Sequence, residues 1–141
     1  MRRLLSVCSL LLVALAVPTA TEIVTAAPAA AACAAGTVAT VKSVFIPNPT
    51  TPGASTTNKI TVTNCTNQTQ NFTIKGNVFG PSNCPPGIDF GPIPVTVAPL
   101  GKSVTKATFP APDCKGTYTQ NVQVFQGSTL VAHQRVTFVV S

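Results

Sequence analysis

Apolar and polar residues alternate in short segments along the chain from residue 38 to residue 140. In residues 59–65, for example, Ile60 and Val62 alternate with lysine and threonine. Successive side chains of a β-strand point to opposite faces, so this period of two predicts strands that are buried on one face only. Seven such segments are found, at residues 38–46, 59–65, 71–79, 93–97, 103–109, 117–125 and 130–140.

Proline, glycine and asparagine are concentrated between these segments, for example in PNPTTPG at residues 47–53 and GPSNCPPG at residues 80–87. Such residues end strands and form turns, whereas β-branched threonine and valine favour strands. The short segment 93–97 is flanked by prolines, which suits the edge of a sheet. The regular spacing predicts an all-β fold, an Ig-like or fibronectin-III-like antiparallel β-sandwich of about seven strands.

The first 32 residues are predicted to lie outside the folded domain. Arg2 and Arg3 precede an apolar run at residues 4–17, which is shorter than a membrane-spanning helix and typical of a secretory signal peptide. Pro18 ends the run and an Ala/Pro-rich leader follows, so we expect cleavage between residues 20 and 32. Residues 33–141 then form a single Ig-like domain of a secreted protein, and the sequence predicts no transmembrane segment.

The chain that remains after cleavage is basic. It has six lysines and Arg135 against two acids, Asp89 and Asp113, which gives a net charge of +5. The cations are spaced singly along the sequence, whereas a nucleic-acid site normally forms a patch with interleaved aromatic residues. We therefore expect no nucleic-acid partner. Attraction to anionic cell-wall polymers or membrane surfaces remains open.

Four cysteines remain in the mature chain, Cys33, Cys65, Cys84 and Cys114. An even number in a secreted chain predicts disulfides, and the sequence lacks the C-x-x-C motif that would suggest a zinc site. If successive strands run antiparallel, the first two cysteines lie at one end of the sandwich and the last two at the other. We therefore predict the pairs Cys33–Cys65 and Cys84–Cys114, because other pairings would span strands about 20 Å long.

Cys33 has a second interpretation. The preceding alanines resemble a lipobox, which would make Cys33 a lipidated N-terminus. However, Ala30 stands where such a box normally has leucine, and the apolar run ended at Val17. The disulfide is therefore favoured over lipidation.

Few residues in the chain could support catalysis. His133 alternates with the apolar positions of the last strand and is expected to be exposed. Asp89 and Asp113 lie in predicted turns, where aspartate commonly binds backbone amides. The mature chain contains no glutamate and no G-x-S-x-G motif. The sequence therefore predicts neither an enzyme nor a cofactor or metal site.

Three phenylalanines fall on strand faces opposite the predicted interior. The side chains expected to point inward include Ile60, Val62, Phe72, Ile74, Val78, Tyr118, Val122, Val124, Ala132, Val136, Phe138 and Val140. The positions of Phe79, Phe109 and Phe125 do not match this inward-facing pattern, so these three side chains are expected to point outward. Either the three form an exposed patch that marks a partner surface, or the strand faces are misassigned.

Several short motifs resemble those of bacterial Ig-like modules of the CARDB, or cell-adhesion-related, type. They are KITVTNCTNQT at residues 59–69, VAPLGKS at residues 97–103, and GTYTQNVQVF with VTFVV in the last two strands. Leu100 departs from the tight Pro-Gly turn of these modules. The stretch around Tyr118 also resembles the tyrosine corner of Ig-like sandwiches, in which the hydroxyl binds the backbone. The resemblance implies a β-sandwich with a role in adhesion or architecture.

Three Asn-x-Thr triplets occur within residues 63–73, at Asn64, Asn67 and Asn71. We interpret this segment as a strand end, a polar turn and a strand start, with Cys65 as an anchor. In a eukaryotic secretory pathway Asn67 would be the best glycosylation site, because it lies in the turn. The leader and the family resemblance point instead to a bacterial protein, in which such triplets usually carry no sugar.

Two classes of function are compatible with these observations. The first is a secreted non-catalytic Ig-like module with a binding or structural role at the cell surface or outside the cell. Its partner would be an unidentified extracellular protein or envelope polymer. The second is a small basic secreted effector, such as an enzyme inhibitor or antimicrobial protein. It would be held rigid by disulfides and act through its Pro-rich loops at residues 80–87 and 110–116.

Overall fold

The computed structural model describes residues 33–141, and these form seven antiparallel strands. The strands are β1 (Ala39–Ile46), β2 (Ser55–Asn64), β3 (Gln70–Phe79), β4 (Ile88–Val97), β5 (Lys102–Pro110), β6 (Gly116–Gln126) and β7 (Thr129–Val140). The predicted all-β sandwich is confirmed. The predicted signal peptide, leader and cleavage site lie outside the described residues. Within residues 33–141 we find no helix that could cross a membrane.

The strands form two sheets that pack face to face. One sheet has three strands in the order β1-β2-β5, and the other has four in the order β4-β3-β6-β7. Some consecutive strands pair with each other, but β5 pairs with β2 rather than with β4. The strands β4 and β5 end up as the edge strands on one side of the sandwich, and β1 and β7 as the edge strands on the other.

Five strand predictions are correct to within one residue, and two strands begin earlier than expected. The strand β2 begins at Ser55 because the polar residues Thr56 and Asn58 occupy buried positions that an apolar pattern does not reveal. The strand β4 begins at Ile88, and its turn-like Gly91 lies within a bulge opposite Lys75. At an edge, a bulge accommodates such residues without ending the strand.

The interior contains two apolar clusters. The first is formed by Ala39, Ile60, Val62, Phe72, Ile74, Val97, Val122 and Val124, and the second by Phe45, Ala111, Tyr118, Phe138 and Val140. In the second cluster Phe138 stacks on Phe45, with ring centroids 4.2 Å apart, and on Tyr118, at 5.1 Å. The alternating pattern therefore identified the inner faces of β2, β3, β6 and β7.

A polar network joins the two sheets inside the sandwich. The Ser43 hydroxyl of β1 lies 2.8 Å from the side-chain oxygen of Asn58 on β2 and 2.8 Å from that of Gln120 on β6. All three residues are buried, so their polar groups depend on one another for hydrogen bonds. The network fixes the position of one sheet relative to the other.

The β1–β7 edge is closed by hydrogen bonds across it. The backbone N–H of Thr50, in the loop after β1, donates to the carbonyl oxygen of Val139 at 2.9 Å. The Asn48 side chain accepts from the N–H of Val139, also at 2.9 Å. The N–H of Ser43 donates to the side chain of Gln134 on β7. Backbone groups that an edge strand would leave unpaired are thereby satisfied.

Candidate binding cleft between the edge strands

The β4–β5 edge is open and contains a cavity of about 740 Å³. We call it the cleft. Its walls are Ile88, Phe90 and Ile93 of β4, and Thr105, Ala107 and Phe109 of β5. Ala107 is exposed although it pairs with the buried Asn58, so the cleft opens to solvent.

Small side chains on the inner face of β5 leave this space. The inner face of β5 carries serine, threonine and alanine before Phe109, and these residues do not reach the opposite sheet. On β3 the inner position between Ile74 and Val78 is Gly76. A Cβ atom there would lie 2.4 Å from the Phe90 ring and 2.2 Å from the carbonyl oxygen of Asn121. Glycine is therefore required for Phe90 to pack against β3.

The floor and rim of the cleft differ in chemistry. The floor is aromatic, with Tyr118 and Phe138, and includes the buried side chains of Asn58 and Gln120. One rim is built from Pro85, Pro86, Pro110 and Pro112. Among the described residues that line the cleft, only Asp113 carries a charge. The arrangement favours an apolar group.

Each end of the sandwich carries one disulfide. Cys33–Cys65 ties the segment before β1 to the end of β2, with Cα atoms 5.7 Å apart. Cys84–Cys114 ties the β3–β4 loop to the β5–β6 loop beside the cleft, with Cα atoms 5.8 Å apart. These are the two pairs that the ends of the predicted strands suggested. The second disulfide joins the two Pro-rich loops at one end of the cleft.

Tyr118 makes the contact expected of a tyrosine corner. Its ring is buried in the second apolar cluster, and its hydroxyl donates to the carbonyl oxygen of Cys114 at 2.7 Å. The β5–β6 loop is thus held by the tyrosine as well as by the disulfide. Gly80 faces the same ring, and a Cβ atom there would lie 2.5 Å from it.

The three phenylalanines do not form one surface patch. Phe109 points inward and packs against the second apolar cluster, so its assignment to the outer face is wrong. The reason is the strand pairing, which places Phe109 opposite the buried Thr56. Phe79 and Phe125 lie on the outer face of the four-stranded sheet, near opposite ends of the β3–β6 pair.

Each of these two outer rings is accompanied by a cation. The Arg135 guanidinium lies 5.8 Å from the centroid of the Phe79 ring. The Lys75 ammonium lies 5.4 Å from that of Phe125. Cation–π contacts of this kind partly cover the two rings, which are therefore two separate features rather than one partner surface.

The candidate acid–base residues lie on separate elements. Asp89 was expected in a turn but belongs to β4, where it pairs with Asn77. His133 is exposed on β7, at the opposite edge of the same sheet. Three strand spacings, about 14 Å, separate them, too far for a shared proton transfer. In residues 33–141 no group of three or more His, Cys, Asp or Glu side chains could hold a metal ion.

The three Asn-x-Thr triplets occupy different environments. Asn64 is fully buried, and its Nδ2 donates to carbonyl oxygens of Gln68 at 2.7 Å and of Ala98 at 3.0 Å. Its Oδ1 accepts from the backbone N–H of Thr66 at 2.9 Å. Asn64 therefore joins two turns from inside the protein. Asn67 is exposed in the turn after β2.

The structure gathers lysines that the sequence had suggested were scattered. Lys42, Lys59, Lys102 and Lys106 all lie on the outer face of the three-stranded sheet, which we call the basic face. Only the face of Lys59, which alternates with the inward-facing Ile60 and Val62, was predicted from the sequence. The pairing of β2 with β5 was not readable, and it is this pairing that brings the lysines together.

Comparison with known proteins gives the fold and no more. No family model matches the chain, and no curated protein matches it. Part of an alkylpurine DNA glycosylase of Pseudomonas fluorescens, bound to DNA with an abasic site analogue, is similar with a TM-score of 0.56 and 10% identity. That likeness covers 74% of this chain and only 31% of the glycosylase.

The CARDB domain of a Pyrococcus furiosus protein, solved in complex with di-metal ions, has a TM-score of 0.50 and 18% identity. The match covers 74% of this chain and 86% of that domain. At such low identity the likeness shows the fold alone. The chain has a CARDB-like β-sandwich, which confirms the family resemblance at the level of architecture.

Proposed function

We propose that the chain is a secreted, non-catalytic binding module that acts at the cell surface or outside the cell, with residues 33–141 as its folded unit. The observation that carries the proposal is the cleft, an apolar cavity left open at one edge of the sandwich. Its volume falls within the usual range for ligand sites, about 300–1,000 Å³. The sequence motifs that resemble those of cell-adhesion-related modules support a module rather than an enzyme.

The loops at the end of the cleft support a binding role. The Cys84–Cys114 disulfide, the Tyr118 hydrogen bond and four prolines restrain them before any partner arrives. Restrained loops lose less conformational entropy on binding, so more of the contact energy is available for affinity. Disulfides also persist mainly in oxidising compartments, which supports a place outside the cytoplasm.

Filling the cleft tests its role. In Ala107→Trp the indole would occupy the space between β4 and β5, since Ala107 faces the cleft. We expect about tenfold weaker binding of a hydrophobic fluorescent dye, measured by titration. Thr108→Trp is the matched control, because Thr108 is exposed on the other face of the same strand. Equal dye binding by both variants would rule out the cleft as the binding site.

Cell fractionation tests secretion independently of the cleft. We expect a chain tagged after Ser141 to be found in the culture medium or the envelope fraction, lacking its first residues and with all four cysteines oxidised. Mass spectrometry after thiol labelling reads both properties. Full-length protein with free thiols in the cytoplasm would contradict the proposal.

The effector hypothesis is the second candidate, and one observation favours it. The two Pro-rich loops converge at one end of the cleft and are joined by Cys84–Cys114. A preorganised loop pair of this kind could occupy the site of a target protein. A stoichiometric soluble partner recovered with the secreted chain would favour the effector, whereas retention on cell-wall material would favour the envelope module.

A further inference from the structure

The basic face is a charged surface separate from the cleft. Its fourteen positions come from alternate residues of β1, β2 and β5, and they comprise four lysines, five threonines, two valines, Ile46, Ser55 and Pro110. The two acidic residues of the described chain lie elsewhere, Asp89 in β4 and Asp113 in the loop after β5. Within residues 33–141, therefore, no acidic side chain on this face offsets the four ammonium groups.

Two of the lysines are placed where they repel each other. The strand register pairs Lys59 directly with Lys106. The Cβ atoms of directly opposed residues in antiparallel strands are about 5 Å apart, and like charges in this position destabilise a sheet. A bound anion would remove this repulsion, so the free face is electrostatically suited to a negative partner.

Thr61 lies at the centre of the four lysines. Lys42 is directly opposite on β1, and Lys59 is the neighbouring outer residue of β2. Lys102 and Lys106 flank the β5 residue that pairs with Thr61, so both are diagonal neighbours. Such neighbours are about 7–8 Å apart, and lysine side chains are long and flexible. All four ammonium groups can therefore reach one anionic group held over Thr61.

We propose that the basic face binds a polymer with repeating anionic groups, phosphate or carboxylate, with one group seated over Thr61. The proposal extends the proposed function and rests on it in one respect, that the chain acts outside the cell where such polymers occur. The lysines are spread both along and across the strands, so an extended chain of charges contacts several of them at once. No aromatic side chain among the fourteen positions is available for insertion into lipid or for base stacking.

Two double variants of equal net charge test the assignment. Lys59→Gln with Lys106→Gln removes two cations from the basic face. Lys75→Gln with Lys115→Gln removes two cations from other surfaces, the outer face of the four-stranded sheet and the β5–β6 loop. Both variants carry +3 in place of the +5 of residues 33–141. The probes are inorganic polyphosphate and polygalacturonate, titrated against purified chain with both disulfides formed.

We expect the first variant, Lys59→Gln with Lys106→Gln, to bind the polymer at least about tenfold more weakly than the unmodified chain does. The second variant, Lys75→Gln with Lys115→Gln, should bind it within about twofold of the unmodified chain. Binding should also weaken as salt rises from about 50 to about 500 mM, because exposed charges are screened. The thermal midpoint of the first variant should be unchanged or higher, since it lacks the Lys59–Lys106 repulsion. The better of the two probes identifies the anionic group as phosphate or carboxylate.

Other outcomes overturn the proposal. Equal weakening in both variants would mean that binding follows net charge rather than the basic face. Tighter binding to phosphatidylglycerol vesicles or to duplex DNA than to either polymer would assign a different partner, and no binding to either polymer would leave the face without this role. The Ala107→Trp variant should retain polymer binding, so failure of the cleft and failure of the basic face are distinguishable.

Discussion

The two edges of the sandwich are protected in different ways. At the β1–β7 edge, the loop after β1 and the side chains of Asn48 and Gln134 hydrogen-bond across the gap. At the β4–β5 edge, the strands are held apart by a cleft, and β4 carries Pro92 and Pro94. Proline lacks a backbone donor, so it discourages the pairing of a foreign strand without closing the edge.

The difference shows where this fold can accept a partner. Both devices protect a free edge, but only at the β1–β7 edge do hydrogen bonds bridge the two sheets. The proline-protected edge leaves apolar walls and an aromatic floor accessible. An apolar cleft can therefore arise in a sandwich from small inner residues on a single strand.

The largest expected effect compares a fully buried ring at the floor of the cleft with a partly buried ring at its open edge. Phe138→Ala removes a buried ring stacked between Phe45 and Tyr118, and we expect the free energy of unfolding to fall by about 3–5 kcal/mol. Phe90→Ala removes a partly buried ring that lines the cleft, and the expected loss is about 1–2 kcal/mol. Chemical denaturation measures both. Equal losses would mean that the Phe90 ring on the edge strand β4 is packed as tightly as the interior of the sandwich.

Removal of each disulfide sharpens the comparison. The bridges span 32 and 30 residues, so Cys33→Ala with Cys65→Ala and Cys84→Ala with Cys114→Ala should each lower the free energy of unfolding by about 3 kcal/mol. Only the second pair should also weaken dye binding, because Cys84–Cys114 holds the loops at the end of the cleft. If both pairs altered dye binding equally, the loops would not define the site.

The smallest expected effect concerns single side chains near the two edges. Asn48→Ala removes hydrogen bonds to both Thr137 and Val139 on β7, and we expect unfolding to become easier by about 1 kcal/mol. Asn71→Ala is the counterpart at the open side, since Asn71 accepts a hydrogen bond from Thr96 on β4. Both residues are exposed, but Asn71 makes one such hydrogen bond rather than two, so the change should stay within about 0.5 kcal/mol. The reverse order would contradict the distinction between a closed and an open edge.

Much of the fold could be predicted because it depends on local properties. Alternation identified all seven strands, and the positions of the cysteines relative to strand ends gave the pairs that the structure contains. The errors have local causes as well. Polar Thr56 and Asn58 concealed the start of β2, and Gly91 in its bulge concealed the start of β4.

The candidate sites were harder to predict because they depend on which strands are neighbours. The cleft requires β4 and β5 to be the edges of different sheets, although they are consecutive in the chain. Phe109 was assigned to the wrong face because the buried residue opposite it, Thr56, comes from β2. The basic face likewise depends on the return of β5 to β2.

The sequence by itself therefore determined the strands, the residues that share a face within each of them, and the ends of the sandwich that the cysteines occupy. A period of two is a property of a single extended chain, and it needs no knowledge of the neighbour. The tertiary structure decided which faces lie side by side and which edges remain open. Those relations arise from hydrogen bonds between distant segments, and in this protein they create both the cleft and the basic face.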